Sequence, residues 1–146
     1  MRIKLILLTL TIYFILIQNA FSQEYLIFGG NNHDKFLGCL NCSKSDSGSI
    51  CNKYGNFGNK FSIESIFNKF GTFGNKFSIS SPWNKYSSGK DVPVLVDRAG
   101  NFYGYFTINS YRSDAFSNSN LLKEVFEESD GDYEILQSYV CKLFSK

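Results

Sequence analysis

The hydrophobic pattern divides the chain into stretches of different period. Leu5 to Ile17 is a nearly unbroken apolar run behind Arg2 and Lys4. Glu24 to Phe28 (EYLIF) reads as a strand, ended by the turn residues Gly29-Gly30-Asn31-Asn32. Val92 to Asp97 (VPVLVD) and Phe102 to Ile108 (FYGYFTI) are two further strands. The five residues Asp97 to Asn101 between them include Gly100, suited to a left-handed position, which predicts a β-hairpin over 92–108. Pro93 belongs at a strand start or edge, because it has no N–H for a ladder. Towards the C-terminus the period changes to that of a helix. Leu121, Leu122, Val125 and Phe126 form one stripe, and Ile135, Leu136, Tyr139, Val140, Leu143 and Phe144 form another. Two amphipathic helices over 119–145 are expected, hinged at Asp130-Gly131-Asp132, with Asp132 as N-cap of the second.

The middle of the chain, 49–86, repeats itself every 16 residues. Ser49 to Glu64 (SICNKYGNFGNKFSIE) and Ser65 to Ser80 (SIFNKFGTFGNKFSIS) agree at 12 of 16 positions, and a truncated copy opens at Ser81 as SPWNKYSSG. An Asn-Lys-aromatic echo recurs at Asn52, Asn59, Asn68, Asn75 and Asn84, so its spacing alternates seven and nine. The apolar spacing suggests one short helical or 3₁₀ turn at Ser-Ile-x-Asn-Lys. A Gly-rich turn and a short extended piece follow, with Gly58-Asn59 and Gly74-Asn75 as turns that tolerate positive φ. One such unit cannot bury its rings alone, so the copies should stack on each other. Lys44 to Gly48 reads as a polar linker into the block. The elements together predict a small single α+β domain: strands and a hairpin packed with the repeats, and C-terminal helices covering one side.

Charge and targeting change the picture in one respect. Arg2 and Lys4, the apolar run and Ala20-Phe21-Ser22 have the form of a signal peptide over 1–22, so the mature domain is expected to span 23–146 and to be secreted or periplasmic. The apolar run is short for a membrane span, and no later segment is apolar enough for one. Removing 22 of 146 residues leaves 124, enough for one modest core. Removing Arg2 and Lys4 leaves 13 basic against 13 acidic residues, so the overall charge gives no reason to expect a nucleic-acid partner. The charge is instead polarised: basic in the repeats and acidic near the C-terminus.

The repeat block holds five lysines (Lys53, Lys60, Lys69, Lys76, Lys85), one acid (Glu64) and nine aromatic residues. Two readings follow. In one, the rings are the core and the lysines their solvated rim, favoured because a repeat this small has little else to bury. In the other, the block is a binding face for a glycan or anionic polymer or an envelope protein, with Lys53, Lys69, Lys85, Tyr54, Trp83 and Tyr86 as contact residues.

Cys39, Cys42, Cys51 and Cys141 are four in number, and an exported chain is expected to pair them, in one of three connectivities. Cys141 falls off the apolar stripe of its helix, which points to a tether between that helix and the Cys39–Cys51 region. Two other uses of the cysteines compete with this. Cys39-Leu40-Asn41-Cys42 has the spacing of a thiol–disulfide pair, and His33, Cys39, Cys42 and Cys51 have the ligand types of a zinc site. The acidic run Glu127, Glu128, Asp130, Asp132 and Glu134 lacks the order of a calcium loop and reads as a solvated hinge. There is one histidine and no serine-hydrolase, zinc-protease or phosphate-loop pattern, so neither a catalytic residue nor a cofactor is assigned.

The segments FGGNNHDKFLGCLNCS (Phe28 to Ser43), the NKYG and NKFG units, SPWNKY (Ser81 to Tyr86) and PVLVDRAGNFYGYFTIN (Pro93 to Asn109) resemble those of a group of small exported bacterial proteins of uncharacterised function. The resemblance implies a shared fold and an exported location, and carries over no catalytic residue. The expected function is a non-enzymatic binding or structural module of the cell envelope or exterior. The alternative is a thiol–disulfide or metal-binding protein built on Cys39 and Cys42.

Overall fold

The computed structural model describes residues 23–145. The leader expected over 1–22 lies outside them. Four strands form one antiparallel sheet: β1 (Leu26–Gly29), β2 (Lys35–Cys39), β3 (Val94–Val96) and β4 (Phe102–Tyr105), in the order β2-β1-β3-β4. Two helices follow, α1 (Ser119–Glu128) and α2 (Tyr133–Phe144). The class is α+β, as the pattern predicts.

The hairpin forms as expected. Pro93 stands immediately before β3, and Gly100 turns the chain at φ 84°. Asp97 holds the turn by accepting from Ala99 N, Asn101 N and Asn101 Nδ2 at 2.9, 2.9 and 2.7 Å. Asp132 caps α2 by accepting from the backbone N–H groups of Glu134 and Ile135, which meets two of the free donors of that first turn. β2 is an element the pattern does not reveal. It pairs with β1 in the register Leu26↔Cys39.

The repeat block departs from its expected form. It contains neither helix nor strand. It is a chain of β-turns, each three residues on from the last. In every turn the N–H of residue i+3 donates to the carbonyl of residue i: Asn52 to Ser49, Gly55 to Asn52, Ser62 to Asn59, Ser65 to Ser62, and onward to Ser87. Ser and Asn open these turns for a physical reason. Their side-chain oxygen accepts the N–H two residues on, as Ser65 Oγ does from Phe67 N and Asn68 Oδ1 from Phe70 N, both at 3.1 Å. Asn68 Nδ2 also donates to Ser62 O, and Asn52 and Asn84 make the same bond to Asp46 O and Ser78 O.

Sixteen residues are five such triplets plus one, and the extra residue is Gly58 or Gly74. Both Gly58 N and Asn59 N reach the carbonyl of Gly55, and Gly74 N and Asn75 N reach that of Gly71. The insertion explains the alternation of seven and nine in the Asn-Lys-aromatic echo. These glycines are not left-handed, contrary to the expectation. They are required by proximity, because a Cβ would lie 2.2 Å from Asn52 O at Gly58 and 2.1 Å from Asn68 O at Gly74. Lys44 to Gly48 is not a loose linker but belongs to the coil, since Asp46 N and Ser49 N bond to Ser43 O and Asp46 O.

The copies stack, as expected. Trp83 Nε1 donates to Ile66 O, and the Phe67 and Trp83 rings stack with centroids 6.0 Å apart. Both edges of the sheet are covered, β2 by the coil and β4 by the Asp114–Phe116 segment, so neither presents a row of unpaired backbone groups. Cys39 N and O bond Gly48 O and Ile50 N on the β2 side. On the β4 side Tyr105 N and O bond Asp114 O and Phe116 N, and Ile108 N donates to Pro82 O. The core is one cluster in which Ile50, Ile66, Phe67, Trp83, Leu95, Phe106, Leu122 and Leu136 are all buried.

Candidate functional site

Each copy sorts its rings by position. The Ser-Ile-x triplet that opens each copy, with Pro in place of Ile in the last, turns inward and buries Cys51, Phe67 and Trp83, whereas Ile63 and Ile79 of the closing Ser-Ile-x triplets stay exposed. The Asn-Lys-aromatic triplets turn outward. Tyr54, Phe61, Phe70, Phe77 and Tyr86 are 78 to 97% exposed, whereas Trp83 is 1% exposed. The preferred reading, rings inside and lysines as rim, is therefore corrected for these five rings. Leaving a Phe or Tyr in water forgoes about 1.5–3 kcal/mol of burial per side chain, so a row of five is a feature the core does not explain. Lys60, Lys69, Lys76 and Lys85 each lie over the ring that follows them, Nζ 5.0 to 5.3 Å from the centroid. Of the contact residues expected from sequence, Tyr54, Tyr86, Lys53, Lys69 and Lys85 are at the surface, and Trp83 is buried beneath it.

Three clefts run along the boundary between coil and helices, and each is displaced from the next by one repeat. The first, about 290 Å³, has Lys44, Cys51, Lys53 and Tyr54 on the coil side and Gln137, Ser138 and Cys141 of α2 opposite. The second, about 600 Å³, has Lys60, Phe61, Phe67, Lys69 and Phe70, facing the hinge and start of α2 from Asp130 to Glu134. The third, about 580 Å³, has Lys76, Phe77, Trp83, Lys85 and Tyr86, facing Lys123, Phe126 and Glu127 of α1. Lys44, Lys60 and Lys76 are equivalent positions, as are Cys51, Phe67 and Trp83, and Tyr54, Phe70 and Tyr86.

The helical wall is fixed to the coil by specific bonds. Gln137 Nε2 donates to Ile50 O and Gly58 O, both at 2.8 Å, and Tyr133 OH donates to Gly74 O at 2.7 Å. Burial pushes the Tyr133 phenol up to about 12. The Phe126 ring lies parallel to Trp83 at 5.7 Å. Glu134 pairs with Lys60, which holds its carboxyl below the usual range, and the capping N–H groups of Ile135 and Glu134 do the same for Asp132.

The cysteines pair as Cys51–Cys141 and Cys39–Cys42. Cys141 is thus the tether its off-stripe position predicts, and Cys51 serves it from the position that Phe67 and Trp83 hold in later copies. The Cys39–Cys42 bridge is buried at the end of β2, away from any helix N-terminus that would lower a thiol pKa. The expected zinc set is not assembled. His33 Nε2 lies 3.0 Å from Val92 O with its ring against Tyr105, and all three cysteines of the set are bridged. Among the described residues one group has metal-ligand spacing, Glu24 with Cys39 and Cys42, and both of its sulfurs belong to a disulfide. The acidic residues Glu127 to Glu134 do not converge on a common point. No described helix is long and apolar enough to cross a membrane.

Comparison with known proteins returned no match: no family model, no curated protein and no solved structure aligns with the chain.

Sequence reasoning missed the helical half of the site. Glu127, Lys123 and the hinge meet the repeats only through the tertiary fold. The in/out sorting of the rings had a signal, the residue pair before each ring: within the repeats Asn-Lys precedes every exposed one, whereas Ser-Ile, Ser-Pro or Gly-Thr precedes the buried Phe67, Trp83 and Phe73.

Proposed function

We propose that the protein is a non-enzymatic binding module of the cell envelope or exterior, and that its lysine–aromatic face holds an extended anionic polymer. The observation that carries this reading is the row of Tyr54, Phe61, Phe70, Phe77 and Tyr86, all exposed and each directly after a lysine. Flat apolar rings beside cationic heads suit a ligand with flat apolar faces and distributed negative charge. Two disulfides suit an oxidising compartment, in keeping with the expected leader over 1–22 and with the resemblance to exported bacterial proteins.

Retention on an immobilised anionic polysaccharide such as polygalacturonate tests this. Replacing Lys53, Lys69 and Lys85 together with Gln should weaken retention and flatten its dependence on salt, with unchanged circular dichroism and melting temperature. Unchanged retention, or no retention of the wild type, contradicts the proposal.

A further inference from the structure

We infer that the three clefts between coil and helices are consecutive subsites for an acidic polysaccharide, a claim that rests on the binding reading above and goes further in naming ligand chemistry and register. On their coil side the second and third clefts present the same groups in the same order, so a ligand that meets them in succession must itself be periodic. Each cleft has a lysine on either side of a buried floor, Lys60 and Lys69 around Phe67, and Lys76 and Lys85 around Trp83. Each of these two also has two exposed rings, Phe61 with Phe70 and Phe77 with Tyr86. The flat C–H faces of a pyranose match such rings, and a uronate carboxylate matches the lysines.

The opposite wall decides between polymer classes. It carries carboxylates: Asp130, Asp132 and Glu134 at the second cleft and Glu127 at the third. Carboxylates accept hydrogen bonds from hydroxyl groups, which a polysaccharide has on every unit. The deoxyribose-phosphate backbone of single-stranded DNA offers no hydroxyl donors; this wall repels phosphates and uronate carboxylates alike, so the hydroxyl groups are what favour the sugar. The second cleft sets Lys60 and Lys69 against Asp130, Asp132 and Glu134, with Glu134 paired to Lys60, whereas the third has Lys76, Lys85 and Lys123 against Glu127. Of the two larger clefts the third is therefore the stronger anion site. In the first, Ser45 stands where Phe61 and Phe77 stand later, and the volume is about half. It is the weakest subsite.

Trp83 is the chain's one tryptophan and lines the third cleft, so its emission reports occupation of that cleft directly. The mature protein is titrated with size-fractionated oligogalacturonates, from disaccharide to dodecasaccharide, and with oligothymidylate of matched charge. The proposal expects a saturable change in Trp83 emission with the acidic sugars. It also expects affinity to rise at least about tenfold once one oligomer spans two clefts. The double substitution Phe77→Ala and Tyr86→Ala, both at exposed positions, should abolish the emission change and reduce affinity for the long oligomers. Lys53→Gln at the first cleft should leave the emission change in place. Retention on polygalacturonate without an emission change, or without any effect of the double substitution, overturns the subsite assignment and leaves the broader reading standing. Tighter binding of oligothymidylate overturns the ligand class. Absence of binding to every acidic sugar overturns both.

Discussion

Trp83 donates its indole N–H to the backbone carbonyl of Ile66, seventeen residues earlier, and so ties the truncated last copy to the second. The same ring is stacked between Phe67 and Phe126, so one side chain joins two copies of the coil to α1. Trp83→Phe removes the donor and leaves Ile66 O buried without this partner. A loss of about 1–3 kcal/mol is expected by denaturant titration, beyond any packing change.

The inserted glycines of the coil respond very differently from a glycine on its surface. Gly74→Ala places a methyl 2.1 Å from Asn68 O and 2.6 Å from Asn68 C, both backbone atoms that cannot turn aside. Destabilisation of about 3 kcal/mol is expected. Gly89→Ala meets nothing within 4 Å and should be neutral by the same measurement.

The two disulfides are unequal staples. Cys51–Cys141 closes a separation of 90 residues and Cys39–Cys42 one of three. Chain-entropy arguments give about 4.6 kcal/mol for the first and about 1.6 kcal/mol for the second. Replacing Cys51 and Cys141 with Ser should therefore lower the melting temperature much more than replacing Cys39 and Cys42. Equal effects would show that α2 is held by Gln137 and Tyr133 without its covalent tether.

Acid should loosen the hairpin first at Asp97. Hydrogen bonds from the side chain and then the backbone of Asn101, with lesser ones from Tyr103 and Ala99, hold its carboxyl below the ordinary carboxylate value. A folded-state pKa below the unfolded one means that the stabilisation is present above the unfolded value, about 3.9, and is lost as pH falls through the folded one. Stability measured from neutral pH downward should fall in that window, and Asp97→Asn should flatten the fall.

Local signals were legible and non-local ones were not. The hairpin declared itself through Gly100 and two apolar runs, and α2 through Asp132 and its stripe. β2 was hidden because Lys35 to Cys39 contains Gly38 and gains its strand character only from pairing with β1. The three-residue turn of the coil was masked by the single extra Gly58 and Gly74. Each shifts the phase, so the visible period of 16 is not a multiple of three. Lys53 is at the surface in either reading of the block, whereas the exposure of Tyr54 goes against the favoured one, with its rings in the core. Trp83 of the expected contact set is buried and lines a cleft from beneath, because an aromatic after Ser-Pro turns inward where one after Asn-Lys turns outward.

The most direct measurement is a lysine footprint. The native protein is acylated briefly at low reagent, with and without saturating polygalacturonate, and each lysine is quantified by peptide mass spectrometry. Lys53, Lys60, Lys69, Lys76, Lys85, Lys90 and Lys142 are all exposed in the free protein. The account predicts protection of the repeat lysines, greatest at Lys76 and Lys85, with Lys90 and Lys142 unchanged. Uniform protection of all seven, or protection that spares Lys69, Lys76 and Lys85, would contradict it.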